Sequence, residues 1–180
     1  WTPSAQSLHV RRLCLTAETF AGLWVEGHAE PNAYASPPEV LRAARRGAAG
    51  TVAVVGTVND RPGSARVSLG TPDRMLMTED LALPRQGVRL LPLHWAVAGG
   101  RVLTTTMEPV LTTSVAGRHL LILLNEGGGT VTLSDDFRIR HQRGPVAVSR
   151  ADRALSVRMG DDRLLSVLLA GPEGPLQLLA

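Results

Sequence analysis

The sequence predicts an all-β fold: an antiparallel β-sandwich-like domain preceded by a short N-terminal helix. From residue 50 onwards, short segments rich in Val, Leu, Thr and Ile are separated by glycine or proline turns. These turns recur about every 8 to 12 residues, which is typical of a sandwich or a barrel. Within several segments apolar and polar residues alternate, as they do along a strand that buries one face.

The first helix is predicted from apolar spacing over Ser7–Glu26, with Gly27 as its stop. The residues of its apolar face are Leu13, Ala17, Phe20, Ala21 and Trp24. Such a helix needs a surface to lie on, and we expect that surface to belong to a further domain. The predicted division is therefore a helix and linker, residues 1–35, as the tail of an upstream domain, and a β-sandwich domain, residues 36–180.

A second helix is predicted by local rules over Pro37–Arg46. Ser36 and Glu39 have the spacing of a capping box, Pro37 occupies the first helical position, and Gly47 is the stop.

Strands are predicted for the rest of the chain. Their ranges are 51–58, 65–69, 75–83, 88–97, 101–107, 110–115, 118–125, 130–133, 137–140, 155–159, 163–170 and 175–179. Gly99 and Gly100 predict a hairpin. The run Leu120–Leu124 is apolar on both faces, which predicts a central strand covered on both sides. Alternation places Val131 and Leu133 inward and Thr130 and Thr132 outward.

Composition limits the function classes. The chain has 180 residues, of which 44% are apolar, which fits one ordinary domain with a small appendage. The longest apolar run is far shorter than the roughly 20 residues that cross a bilayer. No signal-peptide pattern is visible, so we expect a cytoplasmic protein. The chain does not begin with Met, which indicates a processed start or a segment of a longer protein.

The charge and cysteine content point to no particular ligand. All 19 basic residues are Arg, yet the formal net charge is only +3, so codon usage is a better explanation than selection for anion binding. Cys14 is the single cysteine, which excludes an internal disulfide and a thiolate zinc site.

The sequence predicts no catalytic, metal or cofactor site. Gly127–Gly129 lacks the lysine and following helix of a phosphate loop and is interpreted as a hairpin loop. No Gly-x-Ser-x-Gly elbow occurs. The histidines have no metal-ligand spacing; they are His9, His28, His94, His119 and His141. The carboxylates nearest to strand ends have no paired spacing and are interpreted as surface residues; they are Glu79, Asp80, Glu108 and Glu126.

Two binding surfaces stay open as alternatives. Arg138, Arg140 and Arg143 form a basic stretch near His141, but the neighbouring Phe137 alternates to the opposite face, so a solvated strand face is favoured over nucleic-acid binding. Trp95 is the tryptophan of the strand region. A core or interface position is favoured for it over a sugar-stacking one.

The chain resembles glycoside hydrolase family 35, the β-galactosidases, in the region that follows their catalytic barrel. Residues 10–23 are similar to the last barrel-associated helix, and residues 50–59 to a glycine-led first strand that ends in Asn. Residues 87–95 with 100–108 resemble a strand pair ending in Thr-x-Glu, and residues 118–127 with 129–133 resemble the hairpin that follows. The order and spacing match over residues 8–135. The family's hairpin usually carries an acidic residue after its glycine, where this chain has Gly128 and Gly129.

The resemblance implies a strand over Glu39–Arg46, where local rules predict a helix. It also implies a parent enzyme that hydrolyses terminal β-galactosides with retention, through a covalent sugar intermediate. The family's catalytic glutamates lie on the barrel, so none carries over to this chain. The prediction is a non-catalytic accessory β domain whose partner is the upstream barrel, with a carbohydrate as a further candidate partner and no membrane partner. The alternative is a stand-alone glycan- or nucleic-acid-binding β module.

Overall fold

The computed structural model describes most of the chain. The described residues are 4–30, 34–35, 41–58, 63–71, 74–83, 88–97, 101–124, 129–133, 137–141, 146–151, 154–159, 165–170 and 176–179.

Two helices and seventeen strands lie within these residues. The helices are α1 (Ala5–Thr19) and α2 (Ala21–Glu26). The strands are β1 (His28–Ala29), β2 (Tyr34–Ala35), β3 (Leu41–Gly47), β4 (Gly50–Gly56), β5 (Gly63–Thr71), β6 (Arg74–Leu83), β7 (Val88–Leu93), β8 (Trp95–Val97), β9 (Arg101–Thr105), β10 (Glu108–Val115), β11 (Arg118–Leu124), β12 (Gly129–Leu133), β13 (Phe137–His141), β14 (Val146–Ala151), β15 (Ala154–Met159), β16 (Leu165–Ala170) and β17 (Leu176–Leu179).

The described strands form four sheets, in the orders β1-β3-β4-β7, β2-β5-β6, β10-β11-β16-β17-β13 and β14-β15-β12-β9-β8. All neighbouring strands run antiparallel except β13 and β17, which are parallel. The predicted all-β, antiparallel class is therefore confirmed. Neither described helix is both long and apolar enough to cross a bilayer.

From β8 onwards the chain alternates between the two five-stranded sheets. Strands β8, β9, β12, β14 and β15 belong to one sheet, and β10, β11, β13, β16 and β17 to the other. Such crossing between two sheets is typical of sandwich-like folds. It also corrects one prediction: β11 and β12 do not pair, so the connection through Gly127–Gly129 passes from one sheet to the other and is not a hairpin. Gly127 and Gly128 themselves lie outside the described residues.

The predicted helix over Pro37–Arg46 is wrong where the structure describes it. Leu41–Gly47 forms β3, which pairs with β4 from Leu41 opposite Gly56 to Gly47 opposite Gly50. The capping-box pattern is a local preference of modest strength. A full antiparallel ladder on the neighbouring strand outweighs it, because tertiary context routinely overrides helix propensity. The strand implied by the family resemblance is the one observed.

The N-terminal helix begins two residues earlier than predicted, at Ala5, is divided in two and is rotated relative to its prediction. Phe20 leaves helical geometry at φ −109° and ψ 19°, which divides the segment into α1 and α2. The buried positions are Thr16, Phe20 and Leu23, whereas Ala17 and Ala21 are exposed. The larger side chains thus take the core and rotate the helix away from the predicted face. The helix does end before Gly27, as predicted.

The apolar patterns of the middle strands are largely confirmed. β11 lies between β10 and β16, as expected of a central strand, with Leu121 and Leu123 buried and the alternate face half-buried. β8 and β9 pair antiparallel, which confirms the hairpin, although Gly99 and Gly100 lie outside the described residues. Val131 is buried as predicted, but Thr130 is buried too, against its outward assignment.

A tight turn joins β3 to β4 and fixes the position of β8. Gly50 has φ +133°, and a Cβ there would lie 2.5 Å from the carbonyl oxygen of His94 and 2.8 Å from Cα of Trp95. The Ala96 N–H donates to the Ala49 carbonyl over 2.6 Å. His94, at φ 48°, interrupts the strand predicted over 88–97 and separates β7 from β8. Glycine is thus required at position 50 by conformation and by space.

We expect Gly50→Ala to lower the free energy of unfolding by about 2 kcal/mol or more, because the alanine is strained at this φ and collides with backbone. Gly22→Ala is the matched control, since a Cβ at Gly22 meets no atom within 4 Å. Replacing this helical glycine should raise stability by about 0.5 kcal/mol. Chemical denaturation of both variants measures the difference. A neutral Gly50→Ala would contradict the described turn.

Candidate functional site

The helices are joined to the sheets by one apolar cluster, which we call the helix–sheet seam. Its buried members are Phe20, Leu23 and Val52, and its half-buried members are Trp24, Leu90 and Trp95. The seam thus brings together α1–α2, β4, β7 and β8. The surface that the N-terminal helix needs is supplied here by this chain's own strands, including β10, against which α1 packs.

Aromatic rings give the seam a defined geometry. The ring centroids of Phe20 and Trp95 lie 4.9 Å apart with their planes at 89°, and those of Phe20 and Trp24 lie 6.4 Å apart at 82°. Edge-to-face pairs of this kind place the positive edge of one ring against the negative face of another. Trp95 is therefore half-buried in an interface, the position that the sequence analysis favoured over a sugar-stacking one.

Arg45 fastens β3 to the end of α2. Its Nε donates to the Leu23 carbonyl over 3.3 Å and its Nη2 to the Trp24 carbonyl over 3.4 Å, and Nη2 also donates to the carbonyl of Gly27. The last carbonyls of a helix have no partners within the helix and carry its negative dipole end, so a guanidinium group suits them well. The sequence analysis missed this residue because it placed Arg45 on a helix.

Two glycines allow α2 and β3 to approach closely. A Cβ on Gly27 would collide with the carbonyl oxygen of Leu23 and lie 3.0 Å from that of Arg46. A Cβ on Gly47 would lie 3.2 Å from Cδ1 of Leu23. The two positions interpreted from sequence as helix stops thus serve as contact points between a helix and a strand.

A small cleft opens beside the seam. Its volume is about 190 Å³, and its walls are the end of α1, the length of α2, the β3–β4 turn and Trp95. Most lining groups are apolar or backbone, and Glu26 and Thr19 supply the polar side chains.

Of the carboxylates singled out from sequence, the two whose side chains the structure describes are not brought together. Glu108 is only 5% exposed at the start of β10, where it makes a polar or electrostatic contact, while Asp80 is exposed on β6 in a different sheet. Of Glu79 the structure describes the backbone only, and Glu126 lies outside the described residues. The interpretation of Glu108 as a surface residue is wrong, because the chain reversal between β9 and β10 buries it.

That reversal is held by buried threonines. The Thr105 hydroxyl donates to the Thr130 carbonyl over 2.8 Å and accepts from the Met107 N–H over 2.9 Å. The Thr130 N–H donates to the Thr106 hydroxyl over 2.8 Å. These side chains are occupied in holding backbone groups. Both bonds to Thr130 involve its backbone, so its N–H and carbonyl are satisfied inside the protein.

The histidines and arginines singled out from sequence are described only in part. Among the described residues, no group of three or more His, Cys, Asp or Glu is placed to hold a metal ion. His119 Nε2 lies 3.0 Å from the Thr112 hydroxyl of the neighbouring strand. Arg138 and Arg140 lie on β13, of which the structure describes only the backbone here, and Arg143 lies outside the described residues.

Comparison with protein-family models and with curated proteins finds no match to this chain.

We expect Arg45→Met to lower the free energy of unfolding by about 1.5–3 kcal/mol, because it removes charged donors from helix-end carbonyls while keeping most of the aliphatic bulk. Arg46→Met is the matched control. Its side chain is 55% exposed and lies 3.8 Å from Glu30, so its loss should cost at most about 1 kcal/mol. Equal effects in urea denaturation would contradict the assigned role of Arg45.

We expect Thr16→Val to raise stability by about 1 kcal/mol. The Thr16 hydroxyl is buried and has no hydrogen-bond partner within the described part of the protein, so an isosteric apolar side chain removes an unsatisfied group. Thr19→Val should instead be neutral or destabilising, because the Thr19 hydroxyl donates to the Leu15 carbonyl over 2.9 Å. Thermal melts of the two variants should therefore shift in different directions, and a destabilised Thr16→Val would refute this reasoning.

Proposed function

We propose that this chain is a non-catalytic accessory β domain of a β-galactosidase-like glycoside hydrolase that acts on terminal β-galactosides. The observation that best supports the proposal is the conformation of β3. At these residues the family resemblance and the local capping rules make opposite predictions, and Leu41–Gly47 is a strand, in agreement with the resemblance.

The helix–sheet seam supports a bracing role. In the resemblance, residues 10–23 correspond to the last helix associated with the barrel. Here that segment is fixed to the β-sheets through Phe20 on Trp95 and through Arg45 on the end of α2. A helix fixed at one face to a β domain, and at the other to a barrel, would hold the two domains in a constant relative position. In this proposal the upstream barrel is the partner and carries the two catalytic glutamates.

The binding-module alternative has weaker support. Trp95 packs edge-to-face on Phe20 and is half-buried, and the cleft that it lines offers a sugar's hydroxyl groups only two polar side chains, those of Thr19 and Glu26. Of the β3 arginines, the structure describes the side chains of Arg45, which donates to helix-end carbonyls, and of Arg46, which lies beside Glu30. Single-stranded nucleic acid requires exposed aromatic rings beside cations. The aromatic side chains that the structure describes are all buried or half-buried.

The first test is an assay of the purified chain with a chromogenic β-galactoside. We expect no turnover above the buffer rate, because both catalytic carboxylates would lie on the barrel. Turnover that follows the chain through purification and is lost in Glu108→Gln would refute the proposal. Circular dichroism of that variant checks that the loss does not come from unfolding.

The second test uses the complete reading frame that contains this chain. The proposal predicts an upstream segment of about 250 residues or more with alternating strands and helices. In that protein, Phe20→Ala should lower the temperature at which β-galactosidase activity is lost, with little change in kcat at 25 °C. Val25→Ala is the control, because Val25 is 82% exposed on the same helix. An upstream segment of another class, or equal effects of the two variants, would count against bracing.

A further inference from the structure

The cleft beside the helix–sheet seam combines an apolar interior with a single ionisable group. Of the described residues that line it, Glu26 alone carries a charge, and the other side chains are small, aliphatic, aromatic or hydroxyl-bearing. At about 190 Å³ the cleft has room for a molecule of roughly ten non-hydrogen atoms, or for the end of a long side chain.

Small residues keep the cleft open. A Cβ at Gly22 would meet no atom within 4 Å, so the space above this position is unoccupied by the described residues. On the opposite wall the β3–β4 turn contributes Gly47, Ala48 and Ala49, none of which has a side chain longer than a methyl group. The cleft is therefore open because small residues occupy both of its walls.

The two neighbouring arginine side chains that the structure describes make their contacts outside the cleft. On β3, the strand next to the cleft, Arg45 donates to carbonyls at the end of α2, and Arg46 lies beside Glu30. Neither lines the cleft. Glu26 is exposed, and no ion pair to it is found among the described residues. A carboxylate at the rim of an apolar cleft, with no ion pair to a described cation, is complementary to a positively charged group.

The second attractive element is Trp95. Indole is the aromatic ring that most strongly attracts cations, and planar guanidinium-type groups also stack on it. A hexose fits the same walls less well, because most of its hydroxyl groups would find no hydrogen-bond partner where only Thr19 and Glu26 offer polar side chains. An uncharged apolar molecule would make no favourable electrostatic contact with the Glu26 carboxylate.

We propose that this cleft is a binding site for an organic cation with a flat or apolar body, of the amidinium or guanidinium class. The cation lies between Trp95 and Glu26, and its apolar part contacts the small residues of the β3–β4 turn. The site is independent of the proposed bracing function. With so few polar contacts, the dissociation constant should be on the order of a millimolar.

The test uses benzamidinium as the probe and benzamide as its neutral isostere. The ¹⁵N-labelled chain is titrated while the indole N–H signals are observed, and the Trp95 signal is identified by its loss in Trp95→Phe. The expected result is a saturable shift of the Trp95 signal with benzamidinium and a shift about threefold weaker or less with benzamide.

Glu26→Gln should weaken benzamidinium binding by about threefold or more, whereas Glu18→Gln, on the exposed part of α1, should leave it unchanged. Thermal melts of both variants check that the fold is retained. Equal binding of benzamide, equal effects of the two variants, or no saturable shift up to tens of millimolar would overturn the proposal. A Trp95 shift with D-galactose in place of benzamidinium would also overturn it and assign the cleft to sugars.

Discussion

The edge-to-face contact between Phe20 and Trp95 is the interaction on which the arrangement of this chain depends. It connects the only two helices described to the point where β7 ends and β8 begins, across more than seventy residues of sequence. Phe20 is nearly inaccessible to solvent, so its ring cannot leave Trp95 without exposing a large apolar surface. The helices are consequently part of the β domain's core.

Several backbone features accompany that contact. Trp95 reaches Phe20 because His94 takes a left-handed conformation that turns the chain between β7 and β8. Gly50 then has to be a glycine, because the backbone of residues 94 and 95 lies where its side chain would be. Where the helices meet β3, Gly27 and Gly47 allow α2 to approach the strand closely. Arg45 donates hydrogen bonds to the carbonyls at the end of α2. Removing any of these features would displace an aromatic ring from the seam.

The sequence predicts the fold class because alternation and turn spacing are local signals that survive in the folded state. It fails where the outcome depends on a distant partner. β3 was predicted as a helix since Ser36, Pro37 and Glu39 satisfy local capping rules, whereas the ladder with β4 decides its conformation. Strands β1, β2 and β14 were missed because two are only two residues long and the third has no clear alternation. Residue spacing likewise does not reveal that β11 pairs with β10 and β16 and not with β12.

The candidate site was predictable in part. Phe20 and Trp24 were placed correctly on the inner face of the helix, and Trp95 was assigned to a core or interface. Residue spacing could not show that the aromatic residues of the helix contact Trp95. It also could not show that Glu26 and the β3–β4 turn border the same cleft. Glu108 was assigned to the surface because acidic residues at strand ends usually lie there. Its burial depends on the threonine-held reversal between two sheets, which no local pattern encodes.

The measurement that tests this account most directly is a double-mutant cycle between Phe20 and Trp95. Phe20→Leu, Trp95→Leu and the double variant are compared with the unmodified chain by urea denaturation. If the helices are held to the sheets by this ring contact, the sum of the two single losses in unfolding free energy will exceed the loss in the double variant by about 0.5–1.5 kcal/mol. Strict additivity would contradict the account, since it would mean that Phe20 and Trp95 contribute to stability without contacting each other.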